Sequence, residues 1–264
     1  MSPEATVIQG LRVQRRVLHA LLMREVITRF GRENLGVLWL VAEPMLFTLG
    51  VTTLWSASGL SHGSAMPMSV VAFAVTGYSS VLMWRNAATR CSAAVESNKP
   101  LLYHRNVQVI DVLVTRILLE VAGATCSFIA LATVFTSLGW MPVPRDLLQV
   151  IEGWVLLAWF GSSLALLIGA GAAFSPIVER LWHPAAYLLF PMSGAAFMVD
   201  WIPLKLQRAV LLLPMVHGVE MLRQGYFGDA VRGHYDVSYI ASCSLVLMLA
   251  GLLVVREVGR RVEF

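Results

Sequence analysis

Six histidines, three cysteines and two lysines are the scarce reactive residues of this chain, and their placement speaks against most enzyme chemistry. His19, His62, His104, His183, His217 and His234 are scattered, with no His-Glu-x-x-His pair to hold zinc. Cys91, Cys126 and Cys243 are odd in number and widely spaced, so they make neither a disulfide framework nor a zinc knuckle. No Gly-x-Ser-x-Gly turn offers a serine nucleophile. A phosphate-binding P-loop needs Gly-x-x-x-x-Gly-Lys-Ser/Thr, and neither Lys99 nor Lys205 follows a glycine. The chain is therefore expected to bind no metal or cofactor and to hydrolyse no nucleotide by that route. A process driven by ATP would need a second polypeptide.

What remains is charge set in apolar surroundings. Glu43, followed by Pro44, lies within an apolar run, where a carboxylate needs a partner or a water-filled cavity. It either caps backbone amides or lines a channel. His217 and Glu220 lie three apart in another apolar stretch and either face a pore or hold a gate. Arg24, Arg29 and Arg32 precede the first apolar run and suit an anionic head group or an acidic sugar, although topology alone also places arginines there. Arg116 and Glu120 share a helix face four residues apart and can pair, or else sit at the interface and shape the entry of the third span, with Asp111 just upstream.

The elements that must carry these groups are membrane helices. Of 264 residues, 57% are hydrophobic and only 14% charged, and the mean hydropathy is +0.70. An average soluble domain carries about 25% charged residues. A large soluble domain, a disordered chain and a nucleic-acid-binding protein are thereby excluded, and the net charge of +4 is better explained by topology. Six apolar runs approach or exceed the roughly 18–20 residues that cross hydrocarbon as a helix: Val37–Leu60, Met66–Trp84, Ile117–Trp140, Gly153–Phe174, Leu181–Val199 and Val237–Val255. A seventh, Ala209–Val219, is too short to span and is interrupted by Pro214 and Gly218, so it reads as re-entrant or interfacial. The first thirty residues hold no uninterrupted apolar stretch of the kind a signal peptide needs, so none is expected there.

Six spans put both termini on one side. That side collects fifteen lysines and arginines against five on the other, which predicts cytoplasmic termini. The expected layout is a cytoplasmic interface region over 1–36 and a six-helix domain over 37–264, with a cytoplasmic loop at 85–116 and a periplasmic region at 200–236. Val7–Phe30 reads as an amphipathic helix, with Arg12, Arg16 and His19 on one face and Leu11, Leu18, Leu21, Leu22 and Val26 on another. Such a helix suits the headgroup plane. In the 85–116 loop, Asn98-Lys-Pro100 opens a short helix that offers Leu101, Leu102 and Tyr103 either to the protein's own helices or to a soluble partner. Aromatics in and beside the spans, among them Trp39 and Tyr78, suit the faces of sugar rings, although they also gather at membrane interfaces.

Three segments resemble one family. Arg29-Phe-Gly-Arg-Glu-Asn-Leu-Gly-Val-Leu-Trp-Leu-Val-Ala-Glu-Pro44 is similar to the start of span one in type-2 ABC exporter permeases. Leu101 to Asp111, continuing through Arg116 to Glu120, resembles their cytoplasmic loop and third span. Leu213 to Gly228 resembles their Asn-Pro…Glu-x-x-Arg element before the last span, with Leu213 where asparagine is common. Within that group the chain looks most like the inner-membrane permease of capsular polysaccharide export, over essentially its whole length.

The resemblance implies an all-α half-transporter in the bacterial inner membrane that pairs with a second copy of itself. Two separate P-loop ATPase subunits, holding ATP and magnesium, would dock below it. The N-terminal helix and the coupling residues Asn98, Lys99, Leu101, Leu102, Tyr103, His104 and Arg105 would touch them. Trp39, Glu43, Tyr78, Pro191, His217 and Glu220 would belong to the channel or its gate. The cargo would be a lipid-linked acidic polysaccharide, handed to a periplasmic co-polymerase and an outer-membrane translocon. Related permeases for O-antigen, teichoic acid or small molecules fit the same motifs. A self-sufficient ion-coupled carrier or membrane enzyme is the rival from another class.

Overall fold

The computed structural model describes residues 3–30, 69–102 and 107–262, with the isolated positions 46, 50 and 53. Among these residues every regular element is helical. In chain order the helices are α1 (Pro3–Phe30), α2 (Val70–Ser92), α3 (Ala94–Ser97), α4 (Lys99–Leu102), α5 (Val109–Ser137), α6 (Leu147–Phe174), α7 (Pro176–Met192), α8 (Leu204–Val210), α9 (Pro214–Phe227) and α10 (Val237–Val262). Single 3-10 turns cover Val199–Trp201 and Gly228–Ala230.

Among the described residues three helices, α5, α6 and α10, are long and apolar enough to cross a membrane. The expected first span, Val37–Leu60, lies outside the described residues apart from positions 46, 50 and 53. The helix expected at Met66–Trp84 is capped by Ser69, whose hydroxyl accepts from the Ala72 amide, and continues to Ser92. Arg85 and Arg90 therefore stand on a helix rather than in a loop. The fifth apolar run starts early, because Pro176 at the first turn needs no amide partner, and α7 stops at Met192. Gly194 follows at φ +79°, a conformation that disfavours a Cβ and turns the chain out of the helix. The short run around 209–219 is broken by Pro214 into α8 and α9.

Helix α2 is the axis of the fold, with Ala72 to Trp84 buried on every side. Its polar side chains can sit there because Thr76 and Ser80 donate to the carbonyls of Ala72 and Thr76, at 2.8 Å and 2.6 Å. Against it runs α6, in the same direction, with Gly161 beside Trp84 and Gly169 beside Cys91. A Cβ on Gly161 would come within 2.9 Å of the Trp84 Cα, so only glycine permits this approach. On α5, running oppositely, Thr125 accepts from the Trp154 indole of α6 at 3.0 Å, and Phe128 stacks on the same ring at 4.5 Å. The outward faces stay apolar, as Leu245, Val246, Leu249 and Leu253 on α10 illustrate. Lipid is the solvent such a surface fits.

The two ends of this helical body differ. One end is built from the 193–236 segment, with the Ser69 hydroxyl donating to Trp140 O and Tyr226 donating to Pro142 O. The other gathers α1, α3, α4 and the start of α5.

Candidate functional site

Of the expected site residues, Arg32, Trp39, Glu43, Tyr103, His104 and Arg105 lie outside the described residues, as does the side chain of Arg29. The others fall into three places.

The first is the junction between α1 and the Asn98–Leu102 segment. Helix α1 turns Gln14, Leu18, Leu21, Leu22 and Glu25 inward, while Arg12, Arg16 and His19 stay exposed. Arg24, expected to greet an anionic head group, instead donates through Nη1 to Asn98 Oδ1 at 2.9 Å. Asn98 is buried and donates in turn to Ala94 O at 2.8 Å, so its amide bridges α1 to α3. The Gln14 amide donates to Asp111, which also forms a reciprocal capping box with Gln108 at the start of α5. Arg116 pairs with Glu25 of α1. Arg116, which by spacing can also pair with Glu120, turns to α1, while Glu120 lies 3.8 Å from Arg90 of α2. Lys99 stays at the surface, paired with Glu96 at 2.7 Å. Leu101 is half-buried, and Leu102 packs on the hydrophobic core. Three polar contacts thus fasten α1 to the loop and to α5 across a crevice with room for roughly one water molecule.

The second place is the 193–240 segment, where His217, Glu220 and Arg223 are buried on α9. Glu220 is fully enclosed, and its two oxygens accept from the Val199 amide at 3.1 Å and the His234 amide at 3.0 Å. Burial pushes its carboxyl above the ordinary range, and the two amides and Arg223 pull it back. His217 accepts from the Asp236 amide through Nδ1 at 2.9 Å, so its Nε2 carries the proton facing Leu211 O at 2.8 Å. Both expected gate residues therefore tie α9 to the loops on either side of it.

Arg223 was legible only as part of a motif, yet it is the hub of this region. Its guanidinium donates to the carbonyls of Gly194, Ala195, Phe197 and Phe73, and lies 3.6 Å over the Phe73 ring. Burial lowers it to about 9, with Glu220 opposing, so it stays cationic at neutral pH. A Cβ on Gly77 would overlap both Ala195 O and Arg223 Nη2. The signal for Arg223 in the sequence is an arginine three residues after Glu220 in an apolar helix, too costly to keep without partners.

The third place lies between α2 and α7. Tyr78 is buried on α2 and meets the Phe190 ring edge-on at 6.5 Å and 82°. Arg85, about two turns further along α2, holds its guanidinium 5.8 Å over the same ring. Pro191 is exposed in the last turn of α7. These groups can grip aromatic, apolar or anionic surfaces but arrange no nucleophile, base or metal-binding set. Among the described residues no group of three metal-ligating side chains occurs.

Comparison with known proteins gives this arrangement a family context. Residues 16–227 match the ABC-2 type transporter family. The chain is 42% identical over 256 residues to the capsule polysaccharide export inner-membrane protein CtrC of Neisseria meningitidis serogroup A, covering 97% of this chain and 96% of that one. It is 41% identical over 260 residues to the capsule polysaccharide export inner-membrane protein BexB of Haemophilus influenzae, covering 98% and 97%. It is 26% identical over 250 residues to the polysialic acid transport protein KpsM of Escherichia coli, covering 94% and 95%.

Proposed function

The chain belongs to the ABC-2 type transporter family, and from that premise we propose that it is the inner-membrane permease of a capsular polysaccharide exporter. The observation that carries this reading is its similarity to CtrC and BexB from end to end, at 41–42% identity. The relation to a polysialic acid transport protein favours an acidic cargo.

In this reading six spans put both termini in the cytoplasm. Helices α2, α5, α6, α7 and α10 are five of them, and the Val37–Leu60 segment is the first. Two copies pair to form the path. The end holding α1, α3 and α4 faces the cytoplasm, where two P-loop ATPase subunits bind ATP and magnesium and push on the Asn98–Leu102 segment. The bonds from Arg24 to Asn98, from Gln14 to Asp111 and from Arg116 to Glu25 support that role, because they make α1 and the loop one body that can pass a push to α5. The opposite end, with α8 and α9, is the periplasmic re-entrant region, and a co-polymerase and an outer-membrane translocon receive the glycan beyond it.

The test is purification of the tagged protein in mild detergent with identification of what accompanies it. A small P-loop ATPase in about equal amount is the expected result. Recovery of the chain alone, with flux in liposomes that needs no ATP, would overturn the reading in favour of a self-sufficient carrier.

A further inference from the structure

Helix α7 is thinly covered, with only Trp182 and Ala186 buried along its 17 residues. Its exposed side has two halves of different chemistry. Ile177, Leu181, Leu188 and Met192 form one, bare and wholly apolar. Arg180, His183, Tyr187 and Pro191 form the other, at successive offsets of three and four that align along one face. Tyr187 is 74% exposed and Leu188 70%, so neighbouring positions on one helix look outward onto two different surfaces.

The polar half does not end on α7. Phe190 borders it and joins it to α2 through the contacts with Arg85 and Tyr78. Among the described residues Arg85 makes no ion pair, and its guanidinium lies over the ring of Phe190. The first turn of α7 carries the helix's one acid, Glu179, whose carbonyl faces His183 Nδ1 at 2.9 Å, and two arginines outweigh it. Acyl chains are a poor solvent for this half, since a guanidinium facing hydrocarbon needs a partner or water. The strip from Arg180 to Pro191 rises about 16 Å at 1.5 Å per residue, enough to touch several sugar rings in succession. Aromatic faces accept the C–H side of a pyranose ring, and guanidinium forks accept carboxylates.

We infer that this strip, with Arg85 and Phe190 at its head, is a contact path for the carboxylate-bearing sugars of an acidic glycan crossing the membrane. The inference rests on the permease reading and adds which surface of which helix meets the cargo. The apolar half of α7 faces lipid.

The test places a photoreactive benzoylphenylalanine at Tyr187 or at Leu188 in the complete exporter of capsule-producing cells. The expected result is that position 187 captures material removed by a capsule-degrading glycosidase, while position 188 captures lipid. Glycan captured equally at both positions, lipid alone at 187, or a cross-link between two copies at 187 would each overturn the inference. As a second measurement, Arg85→Gln should slow export about tenfold with the ATPase still co-purifying, because a bond to a charged group contributes roughly 1.5 kcal/mol or more. Arg85→Lys should retain most of the rate, and wild-type export by the Gln variant would refute the role of the charge. A strain lacking the chain separates the two levels. Surface capsule in that strain would defeat the permease reading itself. Capsule that needs the chain, with no glycan captured at 187, defeats only the path.

Discussion

Replacing Arg223 probes the region at 193–240 directly, because its side chain meets four backbone carbonyls. Arg223→Met keeps length and apolar stem but removes the donors to four carbonyls, on α2 and on the 194–197 turn. It also leaves the enclosed Glu220 carboxylate without the cation three residues away. Removing one partner of a buried charge pair typically costs about 3–5 kcal/mol. Against a total stability of about 5–15 kcal/mol that is a large share. Glu220→Gln alone should cost less, about 1.5–3 kcal/mol, because its amide can accept from only one of the Val199 and His234 amides. The double variant should then lose about 1–2 kcal/mol less than the sum of the two, since neither charge is left alone. Unfolding of the purified protein in mixed micelles by increasing detergent denaturant gives the three free energies. Additivity within about 0.5 kcal/mol, or wild-type stability of Arg223→Met, would refute the argument that the two charges support each other.

Three further outcomes are expected. Arg24→Gln should leave insertion and ATPase binding intact yet lower the export achieved per ATP hydrolysed, because the bond to Asn98 goes; unchanged export per ATP would show that the bond carries no motion. Gly161→Val should destabilise the helical body by about 1–3 kcal/mol through overpacking, since the first added carbon already lies 2.9 Å from Trp84 Cα; an unchanged melting temperature would mean that α2 and α6 are not in this contact. Burial raises the Glu220 carboxyl in the folded protein above its unfolded value, so folding binds its proton more tightly. Its contribution is therefore greatest in acid and declines as pH rises from about 4.3 through the folded value. Glu220→Gln should remove that decline from the pH profile of unfolding free energy, and parallel profiles would contradict it.

The sequence by itself determined that the chain is helical and built for a membrane. Continuous apolar runs leave the backbone no partner but itself, and Pro214 interrupts the one run too short to span. The Glu220-x-x-Arg223 spacing is legible as part of a motif, while the burial of both charges is not. What only the tertiary structure decided is where those charges go. Arg116 had a plausible partner in Glu120 at the right helical offset, yet the packing of α1 offers it Glu25, and Arg90 of α2 takes the place beside Glu120. Arg24 looked free for an anion until α3 brought Asn98 to it. His217 and Glu220 read as pore-facing or gate-holding, and the turn at Val199 and the loop before α10 bring backbone amides to them. Arg85 stood in an expected loop until α2 ran on to Ser92 and carried it against Phe190. Helix periodicity is a property of neighbours in the chain, whereas the partner of a charged side chain is chosen among residues tens of positions away, by whichever helix packs against it.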